Sequence, residues 1–204
     1  MARVTDLEAT KTRLVQAAWT VIATEGIEAA TLRRVATQAG CTTGLITHYF
    51  EDKNELVTVA YRRVLDMMIK DAAEAIASAS GIAEQLRAAI EAIEPVRAGT
   101  REFTIVLMNF WAAAAVNPEF ARHCRDDYRR WRRLIERVIR VGVAQGELRA
   151  DTDVRALDDL LTLVSDGLSV GMTLTPAAYP ARRRHALIGH ILAPFLPPSR
   201  ASAP

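Results

Sequence analysis

The strongest constraint in this sequence is the spacing of its apolar residues, which recur every three or four positions along nearly the whole chain. That interval matches the turn of an α-helix. In the first segment, the pattern places Leu7, Leu14, Ala18, Val21 and Ile22 on one inward side. Runs that alternate in polarity between hairpin turns, as β-strands do, are missing from the sequence. The spacing predicts an all-α fold of about nine helices.

Glycines and capping residues predict where the helices begin and end. Gly26 and Gly40 favour helix ends, because glycine adopts the left-handed conformation there without strain. Thr31 and Thr42 each offer a side-chain oxygen to the first backbone N–H groups of the following helix. Later breaks are predicted at Gly81, Pro95, Gly99, Pro118, Gly146, Pro176, Pro180 and Pro197.

Composition narrows the class of protein. Lys and Arg number 26 against 24 Asp and Glu, so bulk charge neither requires nor forbids a nucleic-acid partner. Cys41 and Cys124 lie far apart without disulfide-framework or metal-ligand spacing, which favours a reduced, cytoplasmic protein. The N-terminal residues carry no secretion signal, and the most apolar run, residues 103–116, is too short to cross a bilayer.

Catalytic motifs are missing from the sequence. It has no glycine-rich phosphate loop, no zinc-binding pair of histidines and no nucleophile elbow. His123 and Cys124 are adjacent, so their side chains diverge by about 100° on a helix and cannot form a nucleophile–base pair. We therefore expect neither an enzyme nor a bound cofactor or metal.

Residues 31–49 have the outline of a helix-turn-helix, two short helices joined by a glycine turn. In that motif the first helix crosses the DNA backbone and the second presents its N-terminal residues to base edges. A helix that enters a groove must be polar, with small residues where the phosphates approach. The second helix has such residues, namely Thr42, Thr43, Gly44, Thr47 and His48.

Residues 31–56, TLRRVATQAGCTTGLITHYFEDKNEL, resemble the DNA-binding signature of the tetracycline-repressor (TetR) family. The resemblance covers the alanine–glycine turn before Cys41, Thr42, the aromatic pair at Tyr49, Lys53 and Leu56. It implies a homodimeric regulator that binds double-stranded operator DNA, usually as a repressor, and is released by a small-molecule effector.

The resemblance also implies roles for single residues. Thr31, Tyr49 and Lys53 would hold phosphate oxygens, while Arg33 and Arg34 would add positive charge. Thr43, Leu45, Thr47 and His48 would face the bases. Many family members carry a basic residue at position 43 and an aromatic at 47, where this chain has threonine. The expected DNA-binding set is Thr31, Arg33, Thr42, Thr43, Gly44, Leu45, Thr47, His48, Tyr49 and Lys53.

These observations divide the chain into three predicted parts. Residues 1–51 are predicted to form the DNA-binding domain and residues 52–196 a ligand-binding and dimerisation domain. The small, proline-rich residues 197–204 are predicted to be disordered.

The second part resembles the C-terminal domain of choline-responsive BetI-type repressors at residues 109–120, NFWAAAAVNPEF, and residues 166–168, DGL. The helix predicted over residues 103–116 should be buried on nearly all sides, with four alanines leaving volume beside Trp111. Aromatic faces with a few polar groups suit a cationic or apolar effector. The candidate ligand-binding residues are Asn109, Trp111, Tyr128, Trp131 and Asp166.

Residues 153–174 are apolar around most of the helix circumference, which predicts burial on two sides. A second subunit would cover one of them, although burial wholly within one subunit is the alternative. The final helix, predicted over residues 181–196, would join this interface. The candidate interface residues are Leu160, Val164, Gly167, Leu168, Gly171, Leu187 and Ile191.

The rival function is a helical adaptor that binds a ligand or a protein and has lost DNA binding. Residues 1–63 carry eight Lys or Arg and seven Asp or Glu, so their net charge does not decide between the two. DNA affinity would have to come from the positions of the charges.

Overall fold

A computed structural model of the chain describes residues 2–96 and 98–198, with side chains from Leu7 onward except at residue 98. This part contains nine α-helices, three short 3-10 helices and no strand, so the all-α prediction is confirmed. The predicted disordered tail falls mostly at residues 199–204, outside the described residues. The helices are α1 (Ala2–Glu25), α2 (Leu32–Ala39), α3 (Thr43–Tyr49), α4 (Lys53–Ser78), α5 (Ile82–Ala92), α6 (Ala98–Ala114), α7 (Pro118–Gln145), α8 (Val154–Leu174) and α9 (Ala181–Leu192).

The predicted boundaries of the early helices agree with the structure. The Thr31 Oγ1 atom accepts a hydrogen bond from Arg34 N at 3.1 Å, and α2 ends at Gly40, whose φ of 65° is left-handed. Thr42 then caps α3, its Oγ1 atom accepting from Leu45 N at 3.3 Å. These side chains satisfy backbone N–H groups that have no partner within the helix.

Several sequence expectations were wrong. Gly99 lies inside the first turn of α6, so the break predicted from Pro95 to Gly99 ends before this glycine. The α9 helix stops at Leu192, since Pro194 lies in the 3-10 helix that follows. Leu7 is exposed rather than inward, and the segment after α6 is not buried, as Val116 is 86% exposed.

The chain divides into two compact units. The first consists of the residues up to Met67 together with 97–127. In its core, Tyr61 and Phe110 stack with ring centroids 3.8 Å apart, and α6 packs on α1 through an edge-to-face contact of Trp19 with Phe103. The helix-turn-helix therefore shares its core with α6.

The second unit comprises residues 68–96 and 128 onward. Its core contains Leu86, Ile135 and Ile188, all fully buried. The buried Glu94 carboxylate accepts a hydrogen bond from Arg184 Nε at 2.7 Å. Burial raises the pKa of Glu94, and Arg184 opposes that rise.

Candidate nucleic-acid interface

The position of α3 is determined by buried residues on its inner side. Ile46 of α3 and Val35 of α2 are fully buried, and Phe50 enters the same core directly after α3. The remaining residues of α3 must therefore face outward. Thr42, Thr43, Gly44, Thr47 and His48 are exposed, while Leu45 and Tyr49 are partly exposed.

Hydrogen bonds within α3 determine what its outward groups can offer. The Thr47 Oγ1 atom donates to Gly44 O at 3.1 Å, so in this rotamer the hydroxyl has only its lone pairs left for a partner. The His48 ring meets the Tyr49 ring edge-on, with centroids 5.3 Å apart. A polar row with one acceptor and one imidazole suits contact with base edges.

Of the three residues expected to hold phosphate, Thr31 and Lys53 lie at helix starts, whereas Tyr49 is the last residue of α3. Thr31 precedes α2 and uses its oxygen as an acceptor, so its hydroxyl proton can still be donated. Lys53 is the first residue of α4, and its Nζ atom lies 2.9 Å from Glu28 Oε2. Arg33 is exposed on α2. Sequence reasoning missed Glu28, because this residue is distant from Lys53 along the chain and meets it only in the folded protein.

Arg34, expected to add positive charge for DNA, has an acidic partner within the protein. Its Nε atom donates to Glu25 Oε2 at 3.0 Å, and a second nitrogen contacts the other carboxylate oxygen. The hydrogen bonds with Glu25 raise the pKa of Arg34, and those same bonds lower the pKa of Glu25. Arg34 therefore joins α2 to α1.

Two of the expected ligand-binding residues belong to the first unit. The Asn109 Oδ1 atom accepts from Ile27 N at 3.2 Å, and its Nδ2 atom donates to Ile105 O at 2.9 Å. Both ends of this amide are therefore occupied by backbone. Trp111 is hydrogen-bonded to the buried Tyr61 hydroxyl, whose pKa burial raises strongly. These two residues have structural partners within the protein.

The other three expected ligand-binding residues, Tyr128, Trp131 and Asp166, belong to the second unit. The Tyr128 hydroxyl donates to Asp166 Oδ2. Burial raises the pKa of Asp166, and the Tyr128 hydrogen bond opposes that rise. Trp131 is buried on the same helix as Tyr128. The structure therefore brings together Tyr128 and Asp166.

Residues that sequence reasoning missed lie next to this pair. One turn along α7, the Arg132 Nε atom is 2.7 Å from Asp158 Oδ2, and the same guanidinium donates to Asp159. Asp158 is fully buried. The sequence did not single out Asp158 as an inward-facing residue, because the surrounding leucines dominate the apolar pattern of α8.

The expected dimer residues divide into exposed and buried groups. Leu160 is exposed, Val164 is partly exposed, and nothing lies within 4 Å of a Cβ built on Gly167. Leu187 and Ile191 of α9 are partly exposed. In contrast, Leu168 is only 3% exposed, so it belongs to the core of its own unit.

Gly171 is likewise covered within the chain. A Cβ at this position would lie 2.6 Å from the Tyr179 ring. The glycine thus permits the segment after α8 to pack closely, and its small size is not available for a close approach by a second helix.

Over the residues that the structure describes, no helix combines the length and apolarity needed to span a bilayer. The fold and the exposed face of α3 define a helix-turn-helix protein with a larger helical part. More narrowly, the chain belongs to the TetR family of bacterial regulatory proteins. The family's N-terminal sequence model matches residues 14–60, and the model described as BetI-type transcriptional repressor, C-terminal, matches residues 82–197.

Relatives of known type support this membership. The chain is 32% identical over 111 residues to the HTH-type transcriptional regulator BetI of Stenotrophomonas maltophilia, covering 54% of this chain and 57% of that protein. It is 30% identical over 128 residues to the HTH-type transcriptional regulator PksA of Bacillus subtilis, covering 62% and 58%. The matches thus span less than two thirds of either relative.

A solved structure shares the fold over nearly the whole chain. It is a transcriptional regulator from Saccharomonospora viridis in complex with choline, with a TM-score of 0.83 and 21% sequence identity. The match covers 94% of this chain and all of that one.

Proposed function

We propose that the protein is a DNA-binding transcriptional regulator, a repressor released from its operator by a small-molecule effector. The observation that carries this function is the exposed row of Thr43, Thr47 and His48 on α3. The opposite side of this helix is anchored in the core by the buried Ile46. Residues 1–51 act as the DNA-binding domain and residues 52–196 bind the effector and dimerise. The protein works in the cytoplasm, where its DNA is.

DNA contacts divide by chemistry. Thr31, Tyr49 and Lys53 hold phosphates, and these contacts position the protein without reading sequence. Thr43, Thr47 and His48 face base edges in the major groove. Arg34 is paired with Glu25 and Lys53 with Glu28, so each exchanges a carboxylate for phosphate on DNA binding, and Arg33 adds a further exposed positive charge.

Dimerisation supplies the second recognition helix. The outward side of α8 carries Leu160, Leu163 and Val164 around the open Gly167. Water would contact this apolar stripe in a single chain, and a second copy of the stripe would cover it. In a dimer of this family's kind, the two α3 helices enter major grooves about 34 Å apart.

Effector binding shifts the population of dimers toward one that does not fit the operator. The ligand must bind that state more tightly, by a few kcal/mol, to reverse the equilibrium. Choline in the Saccharomonospora viridis regulator supports a small cation as the class of effector. Since α4 contributes residues to both compact units, it is the natural element to connect effector and DNA.

The test is a gel-shift experiment with DNA fragments from upstream of the protein's own gene, at low and moderate salt. We expect a retarded complex that Lys53→Ala weakens on every fragment. The control Val116→Glu changes an exposed residue outside the motif and should leave binding intact. If the folded, dimeric protein binds no fragment even at low salt, the adaptor function replaces the repressor function.

A further inference from the structure

Three polar residues on α8 follow one another at intervals of four, which places Asp158, Thr162 and Asp166 on the same side of the helix. Asp158 and Asp166 both reach α7, where they contact Arg132 and Tyr128. Those two partners are also four residues apart. Thr162 therefore lies midway between two anchored carboxylates, about 6 Å along the helix from each.

The middle of this row has polar atoms without partners. Thr162 is 5% exposed and Asp158 is 0% exposed. Within the part of the chain that the structure describes, neither Thr162 Oγ1 nor Asp158 Oδ1 has a hydrogen-bond partner. Native proteins rarely leave buried polar groups unsatisfied, so a bound molecule is the natural explanation.

The charges around Asp158 indicate the sign of that molecule. The Arg132 guanidinium is the cation next to this carboxylate, and it is shared with the Asp159 carboxylate. Glu136 is paired with Arg140 at 3.3 Å, near the surface. One guanidinium thus faces two carboxylates, so a ligand cation would balance the second negative charge, which a water molecule cannot do.

We propose that Asp158, Thr162 and Asp166 form a binding site for a ligand with a protonated amino group. An ammonium group with N–H bonds donates to the Asp158 and Thr162 oxygens and neutralises the carboxylate. A quaternary ammonium has no N–H to donate and is the poorer ligand at this row. The inference deepens the proposed function, since it names the effector class that the regulator would sense.

Isothermal titration calorimetry of the full chain with ethanolamine, putrescine and spermidine tests the site, with choline as the cation that lacks N–H groups. We expect at least one protonated amine to bind, and to bind at least tenfold more tightly than choline. If none of the three binds, or if choline binds best, the inference is wrong.

Variants locate the binding. Thr162→Val keeps the shape but removes the hydroxyl, and should weaken amine binding at least tenfold, as should Asp158→Asn. Thr162→Ser should restore binding. The matched control is Thr173→Val, since the Thr173 hydroxyl already donates to Ser169 O at 2.8 Å on the same helix. Equal binding by the Thr162→Val protein and the wild-type protein, both folded by circular dichroism, would place the amine elsewhere and overturn the site.

Gel shifts separate this inference from the proposed function. DNA binding without amine binding leaves the regulator intact and refutes the amine site. Amine binding that depends on Thr162, in a protein that binds no DNA, supports the site and refutes the repressor.

Discussion

Lys53 Nζ lies 2.9 Å from the Glu28 carboxylate and 3.2 Å from the Glu28 backbone carbonyl. The lysine proposed to hold a phosphate is thus held by an acid when DNA is absent. The Glu28 side chain is 92% exposed, so salt screens this pair and it contributes little to stability. It orients Lys53 while competing with the phosphate.

Glu28→Gln should therefore strengthen DNA binding at low salt by about two- to fivefold. This change corresponds to the free energy that a surface ion pair typically contributes. Lys53→Ala should weaken binding and reduce the slope of log affinity against log salt by about one. Fluorescence anisotropy of labelled operator over a salt series measures both. A Glu28→Gln protein that binds more weakly than wild type would show that the acid helps the contact.

Thr42→Ala should destabilise the DNA-binding part by about 1 kcal/mol, because the Leu45 N–H group loses its capping oxygen. Urea unfolding followed by circular dichroism measures the loss. Thr43→Ala is the matched control, since Thr43 is exposed one residue later and caps nothing. Similar losses for the two variants would argue against the cap.

Base readers and phosphate holders should respond differently to substitution. Thr47→Ala and His48→Ala should change the order of preferred operator sequences, whereas Lys53→Ala should weaken all of them alike. Selection of binding sites from a random DNA pool reads out the preference. If the Thr47→Ala and His48→Ala proteins select the same sequences as wild type, α3 does not read the bases as assigned.

The proposed dimer depends on the outward side of α8. Leu163→Glu should give folded monomers with poor operator binding, because Leu163 is 68% exposed and its substitution leaves the core intact. Leu168→Glu should instead unfold the second unit, since it places a charge in the core. Sedimentation velocity and circular dichroism distinguish the two. A dimer that persists in Leu163→Glu contradicts this interface.

Asp166 should make stability depend on pH. Burial raises the pKa of Asp166 in the folded protein above the ordinary value of about 3.9. The protonated carboxyl therefore contributes fully to the stability of the fold below that ordinary value. This contribution is lost as pH rises through the folded pKa. In urea titrations, the difference in free energy of unfolding between Asp166→Asn and wild type should therefore shift in favour of the variant as pH rises from about 4 to about 7. Parallel curves would mean that Asp166 ionises normally.

Sequence reasoning succeeded where the deciding contacts are local. The caps at Thr31 and Thr42 and the turn at Gly40 depend on atoms within a few residues, so the α2–α3 motif was predicted with its bounds. Reasoning from the sequence did not reveal the partners of Asn109 and Arg34. Asn109 binds a backbone group 82 residues away, and the spacing of residues near Asn109 does not indicate such a distant partner.

The helical period, the caps and the polar character of α3 can be read from the sequence, since each depends on side chains and backbone that are neighbours along the chain. Which side of α8 faces inward depends on contacts with distant parts of the chain. That helix is apolar around most of its circumference, so its own pattern does not choose a side. Asp158 and Thr162 lie on the side that enters the core together with the buried Leu157 and Leu161, and Leu160 and Leu163 lie outside, because burial of that side removes more apolar surface from water and gives Asp158 the partner Arg132.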